Sequence, residues 1–285
     1  MVGVLFSLPV HERPDIVRDQ LENIQHFCPG AKVCIHVSGL VAHERHLFES
    51  ACDLPDVFVN PNSRETGHST GLLHAHISNF EHALSLGVEF DKVVLISSNE
   101  MFVRRGAMEV IASFEIGAQT EIFDAAGGWH LFRQDIAEDE RMRGFLKRLG
   151  LPVYFGGQAE GQFFSKEIFQ LIADLYTQFF GIEPCGFESE EVIPATVAAR
   201  FCMVGKTATL PLTLCDYCTI TTMSEDLVEA VIRGEGSLFA MRYPRNLRSP
   251  HFGSSVLGSV FSVKRVPRTE CDLRTFIRGL KNAER

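Results

Sequence analysis

No run of apolar residues in this chain approaches the ~20 needed to cross a bilayer. The apolar start, MVGVLFSLPV, is short, has no basic stretch before it and runs into His11-Glu12-Arg13, so it reads as a first strand and not as a signal peptide. A cytoplasmic location is the expectation that follows. Paired cysteines are scarce as well. Six of the eight are scattered, and Cys215 and Cys218 form a lone C-x-x-C without a second pair, which argues against a disulfide scaffold and gives a zinc or redox site little support. Leu8-Pro9-Val10-His11-Glu12-Arg13-Pro14 contains no glycine, whereas a triphosphate held after the first strand calls for a glycine-rich loop. No segment rich in proline, serine or glycine marks a linker, so residues 1–285 are expected to form one continuous domain.

What the chain does have is ordinary globular composition, 45% apolar and 22% charged, with a net charge of −9. That charge is unevenly spread. Residues 233–285 hold eleven Lys and Arg against four Asp and Glu, a balance of +7, which leaves −16 on the rest. An acidic body is not expected to bind nucleic acid, while a basic C-terminal fifth suits an anionic or phosphorylated ligand. A solvated basic surface is the alternative for the same residues.

The first third alternates strand and helix. Val2 to Leu8 reads as a strand, Pro14 to His26 as a helix with Ile16, Leu21 and Ile24 on one face, and Ala31 to Val37 as a second strand. Val57 to Val59 is a short third strand. Leu72 to Leu86 forms an amphipathic helix that leads into Phe90-Asp91-Lys92-Val93-Val94-Leu95-Ile96-Ser97-Ser98-Asn99-Glu100. The apolar run Val93 to Ile96 marks a strand buried on both faces. The expected fold is α/β, a mainly parallel sheet flanked by helices, with an irregular basic C-terminal segment. Residues 1–106 would bind the nucleotide, 107–232 the acceptor. In that middle part Ala107 to Phe114, Arg133 to Leu149, Lys166 to Phe180 and Glu190 to Arg200 read as helices.

Polar residues at the strand ends are the candidate ligand contacts, since ligands of open α/β sheets lie at the carboxyl ends of the strands. These are Pro9, Val10 and His11 after the first strand, His36 and Ser38 after the second, and Ser98, Asn99 and Glu100 after the fourth. Arg64 to Thr70 is a polar loop suited to closing over a ligand. His74, His76 and His82 share one helix without the i, i+4 spacing of a zinc pair.

In the order of these segments the chain resembles the GT-A glycosyltransferases, most nearly the metal-independent core-2/I-branching N-acetylglucosaminyltransferase group and related sugar transferases of bacterial and viral surface glycans. The resemblance covers about the first 200 residues: the opening β-α-β, the helix feeding FDKVVLISSNE, Glu160-Gly161-Gln162-Phe163-Phe164-Ser165 before a helix, and Glu190-Glu191-Val192-Ile193-Pro194-Ala195-Thr196. In that group a Pro-Asp-Glu tripeptide stands a few residues before an Ala-Thr pair, and its Glu is the catalytic base. Ser189-Glu190-Glu191 matches two acidic positions without the proline; Glu190 and Glu191 are both candidates, and the spacing to Ala195-Thr196 favours Glu191. A GT-A Asp-x-Asp metal motif would fall at Ser98-Asn99-Glu100.

The chemistry asks for the same groups. Inverting transfer needs a carboxylate to take the acceptor proton, and it needs positive charge on the departing diphosphate. Glu100 with neutral Asn99 is a poor anchor for manganese or magnesium, so no metal cofactor is expected unless Glu100 serves as a ligand. The resemblance points instead to C-terminal cations, with Arg242, Arg245, Lys264 and Arg265 as candidates. Trp129, the only tryptophan, and Glu160 are the acceptor-side candidates. The expected function is inverting transfer from a nucleotide-sugar donor to a glycan hydroxyl, by an enzyme that works in solution or beside a membrane-held acceptor. A nucleotidyltransferase and a non-catalytic nucleotide- or glycan-binding module are the alternatives. Glu190-Glu191 could equally favour a helix dipole.

Overall fold

Every residue of β1 (Val4–Val10) is buried, which requires the strand to be covered on both faces. In the computed structural model, which describes residues 2–67, 71–122, 134–181, 185–215, 222–234 and 260–283, it is. The chain runs from β1 through α1 (Pro14–Phe27), β2 (Lys32–Val37), α2 (Arg45–Ala51), β3 (Val57–Asn60) and α3 (Leu72–Ser85) to β4 (Lys92–Leu95). β1 pairs in parallel with β2 and β4, and β2 with β3. One side of the sheet packs under α1 through Val17, Leu21, Ile24 and Phe27. The other packs under α3, through Leu73, Ile77 and Phe80, together with residues of the later helices. The mainly parallel sheet flanked by helices is the fold class expected from the sequence.

Beyond β4 the elements are β5 (Glu100–Phe102), α4 (Ala107–Ser113), β6 (Ile116–Gly117), α5 (Gln134–Glu138), α6 (Glu140–Leu149), β7 (Phe163–Ser165), α7 (Lys166–Phe179), α8 (Ser189–Met203), β8 (Ala208–Thr209), β9 (Thr213–Leu214), α9 (Glu225–Arg233), β10 (Ser262–Lys264) and α10 (Asp272–Ala283). The main sheet has the order β3-β2-β1-β4-β7-β6-β8. β7 runs antiparallel to both β4 and β6. The chain winds outward from β1 to β3 and then returns to β4, so the strand order reverses between β1 and β4. That reversal is where an open α/β sheet forms its ligand crevice.

Several expectations are corrected. The helical stretch 133–149 is two helices within its described part, because Asp139 caps α6 by accepting from the Arg141 and Met142 N–H groups. The C-terminal segment is not irregular over 260–283: β10 and α10 are regular, and β10 pairs with β5 and β9 in a second small sheet. Glu100 does not trail from the fourth strand but opens β5. Pro9 and Val10 belong to β1 itself, opposite His36 and Val37 of β2. A proline is tolerated there by parity. The Ser7 carbonyl faces the β4 side, where it accepts from Ile96, and the Val10 carbonyl faces the β2 side, where it accepts from Ser38. Pro9 alternates with Ser7, so its missing N–H faces β4, whose last paired residue is Leu95, opposite Ser7.

Candidate active site at the strand tips

Five segments converge at the carboxyl end of β4. The first is Ser97 to Glu100. The second is the turn before β7: the Gly161 N–H donates to the Leu95 carbonyl and the Leu95 N–H to Gln162. Gly161 has φ 73°, and a Cβ there would stand 2.3 Å from Thr213 Oγ1 and 2.6 Å from the Thr213 nitrogen, so only glycine lets β9, the third segment, approach this closely. The fourth is the first turn of α8, and the fifth is β10 with the residues after it.

The first turn of α8 is held open by its own sequence. Pro194 lies inside the helix and has no N–H for the carbonyl four residues earlier, that of Glu190. The Gln162 side chain supplies the donor at 3.4 Å, and the neighbouring Glu191 carbonyl accepts from the Gly157 N–H at 2.9 Å. Thr196, of the Ala-Thr pair, fastens the next turn by bonding both the N–H and the carbonyl of Phe155. Glu188, Ser189, Glu190 and Glu191 are all buried at the strand tips. Burial, with the Glu191 charge next, pushes the Glu190 carboxyl up to about 8, so Glu190 holds its proton at neutral pH.

Across the crevice, β5 and β10 pair antiparallel with Glu100 opposite Lys264. The Glu100 carboxylate is 2% exposed. It accepts from the hydroxyls of Thr213 and Ser262 and from the Ser97 N–H. Lys264 reaches the Glu160 carboxylate, which joins two candidates that sequence reasoning had assigned to different ligands. Burial lowers the Lys264 ammonium to about 7, with Glu100 acting in the opposite direction. Arg265 adopts φ 66°, a left-handed conformation uncommon outside glycine, and the next N–H, that of Val266, donates to the Asn99 carbonyl.

The structure therefore brings together Ser98, Asn99, Glu100, Glu160, Glu190, Glu191, Lys264 and Arg265. His36 and Ser38 lie apart, beneath the loop that follows β3. His36 Nε2 accepts from the Arg64 N–H at 3.2 Å, and the Ser38 hydroxyl accepts from Leu40 and Thr66. Burial lowers His36 to about 4, so the ring is neutral with its proton on Nδ1. His11 is exposed at the tip of β1. His76, fully buried, bonds the Ser7 hydroxyl at 2.8 Å and acts as a polar pin between α3 and the sheet. Trp129, Arg242 and Arg245 lie outside the described residues, as do positions 68–70 of the expected closing loop.

Sequence reasoning missed Glu12, Gln158, Gln162, Thr213, Ser262 and Arg268. Glu12 is 8% exposed and accepts from Ser98 and Arg268, both at 2.5 Å. Gln158 bonds the carbonyls of Glu160 and Thr213. The available signal was position: Glu12 directly follows His11, and both glutamines flank Glu160.

A metal of the Asp-x-Asp kind does not fit Glu100, whose carboxylate is already met at the β5–β10 seam by the Thr213, Ser262 and Ser97 hydroxyls and the Ser97 N–H. Among the described residues no group of three His, Cys, Asp or Glu side chains is placed to hold a metal, and no helix is long and apolar enough to cross a membrane.

No protein-family model and no curated protein matches the sequence. Solved structures similar to this one include a sugar transferase and a synthase. The first is the galactosyltransferase LgtC in complex with donor and acceptor sugar analogs, 9% identical over 98% of this chain and 95% of that one, with a TM-score of 0.43. An active-site mutant of LgtC is 10% identical over the same shares, at 0.41. The synthase is 4-diphosphocytidyl-2C-methyl-D-erythritol synthase from Anaerococcus prevotii, 8% identical over 80% of this chain and 95% of that one, at 0.44. The fold class rests on the sheet itself.

Proposed function

We propose that this chain is an inverting glycosyltransferase of the GT-A type that moves a sugar from a nucleotide-sugar donor to a glycan hydroxyl without a metal. The observation that carries this reading is the convergence of an acidic helix start and a lysine-bearing strand on the crevice where the strand order reverses. Glu191 is the general base: its spacing to Ala195-Thr196 favours it, and the adjacent Glu190, which burial raises to about 8, is a poor choice because a base must begin without its proton. Lys264 and Arg265, joined by Arg242 and Arg245, offset the charge on the departing diphosphate, which a preorganised cation does without rearranging as the bond breaks. Glu160, ion-paired with Lys264, is the acceptor-side carboxylate, and Trp129 is the proposed stacking surface for the acceptor sugar.

The test is a thermal-shift and turnover screen of UDP-, GDP-, CMP- and dTDP-sugars with EDTA or with manganese, on the wild type and Glu191→Gln. One donor class should stabilise both proteins in EDTA, and the variant should lose about 10²–10⁴-fold in turnover. A shift that needs manganese, or a variant that turns over like the wild type, would overturn the reading.

A further inference from the structure

We infer that Glu100 is a positioning residue for Lys264: it stands where a metal carboxylate would stand and holds the lysine's ammonium in place as an internal counter-ion. This rests on the diphosphate reading of Lys264 and goes beyond it, because it assigns the charge of that lysine to a residue that touches no substrate.

Three observations lead here. The Glu100 carboxylate is ringed by groups able to donate: the hydroxyls of Thr213 and Ser262 meet Oε1, and the Ser97 N–H meets Oε2 at 3.0 Å with the Ser97 hydroxyl at 3.4 Å. Burial raises the Glu100 carboxyl above its ordinary range, and these hydrogen bonds, together with the Lys264 charge, act against that shift and favour the ionised carboxylate. Two of those donors sit on β9 and β10, so the carboxylate ties together the strands of the small sheet. The backbone of Glu100 is fixed as well, since its carbonyl accepts from the buried Gln20 amide at 2.8 Å. Finally, β5 and β10 are in register with Glu100 directly opposite Lys264.

Lys264 is 12% exposed at its side chain, and an ammonium withdrawn from water keeps its proton only if negative charge is near. The described groups that face it are Glu100 on β5, Glu160 before β7, and Arg265 and Arg268 of its own segment. The two arginines disfavour the ammonium, and Glu100 and Glu160 favour it. Glu160 lies toward the proposed acceptor side. Glu100 lies inside the seam, where it stays in place whatever occupies the crevice.

The test is the affinity for inorganic pyrophosphate, in EDTA, from pH 5.5 to 9, for the wild type, Glu100→Gln, Thr213→Val and Lys264→Ala. Pyrophosphate stands for the diphosphate of any donor, and its own ionisation is common to all four proteins. In the wild type, binding should weaken as pH rises through the lysine's titration. In Glu100→Gln that weakening should move about one pH unit lower, with about tenfold weaker binding at pH 7.5. Thr213→Val, which removes one donor from the carboxylate, should move it in the same direction by less, and it decides the matter if Glu100→Gln does not fold. Unmoved profiles in both, with Lys264→Ala showing only the pH dependence of pyrophosphate itself, would overturn this inference and leave the diphosphate reading standing. Wild-type affinity in Lys264→Ala at every pH would overturn both. Pyrophosphate binding that requires manganese in the wild type and is lost in Glu100→Gln would make Glu100 a metal ligand.

Discussion

The Gln162 side chain donates to the Glu190 carbonyl that Pro194 leaves without its helical partner. The two elements on which the proposed chemistry depends, the turn before β7 and the start of α8, are therefore joined through a carbonyl that the proline leaves without its helical donor.

The Gln162 amide also donates to the Gln158 carbonyl, so replacing Gln162 with Met should leave both that carbonyl and the Glu190 carbonyl without this donor, at about 1–3 kcal/mol of stability. Pro194→Ala lets the helix supply its own N–H, so the double variant should recover at least about 0.5 kcal/mol relative to the sum of the singles. Urea unfolding of all four proteins measures the coupling, and strict additivity would mean the Gln162 bond does not answer the proline.

Glu190 is raised in the folded state to about 8, above the ordinary carboxyl range it has when unfolded. The folded protein therefore binds this proton more tightly. The resulting stability is fully present below about pH 4.5 and is lost as pH rises toward 8. Glu190→Gln should match the wild type in unfolding free energy near pH 4.5 and exceed it at pH 8, by an amount on the order of a few kcal/mol. An offset that does not change with pH would refute the assignment.

Arg274 is fully buried and donates to Asp19 of α1 at 2.8 Å, while Arg278 reaches the other Asp19 oxygen at 3.5 Å. Arg274→Met keeps much of the volume but strips Asp19 of its buried partner, a loss of about 3–5 kcal/mol. Hydrogen exchange should rise first in α10 and β10 if this pair is what clasps them to α1. Exchange that rises evenly over the whole protein would show that it is not.

Gly161→Ala should be disproportionately harmful for one methyl group. The left-handed backbone and the 2.3 Å approach to Thr213 Oγ1 together predict a loss of about 2 kcal/mol or more, measured as a fall in melting temperature. A stable alanine variant would mean that the turn and β9 part easily.

How much of this was legible in the sequence depended on element length. Val93 to Leu95, the helix from Pro14 and the helix from Leu72 carry enough apolar residues at one period to be placed within a residue or two. β5, β6, β8, β9 and β10 have two or three residues each, too few to show any period, and without them the Glu100–Lys264 register could not be seen. α9 and α10 were missed even though they carry apolar stripes, such as Leu227, Val228 and Val231 with Ser224 as a cap. Charge drew attention away from them, and a basic tail was read where a clasped helix exists. Glu100 drew attention by its place after the fourth strand, and Glu160, Glu191 and Lys264 through the segments and charges on which the resemblance rests. Their partners, Thr213, Ser262 and Gln162, were not legible, because a neutral hydroxyl or amide has no signature until its neighbour is known.

Asp19 and Arg274 are 255 positions apart. A contact of that span closes late, because the entropy of bringing such distant residues together must be offset by structure already formed. During synthesis the sheet from β1 to β4 can assemble while the cationic strand is still unmade. The crevice between β1 and β4 would then exist for some time with Lys264 absent. On the proposed function, competence for an anionic ligand would then wait until α10 docks on α1.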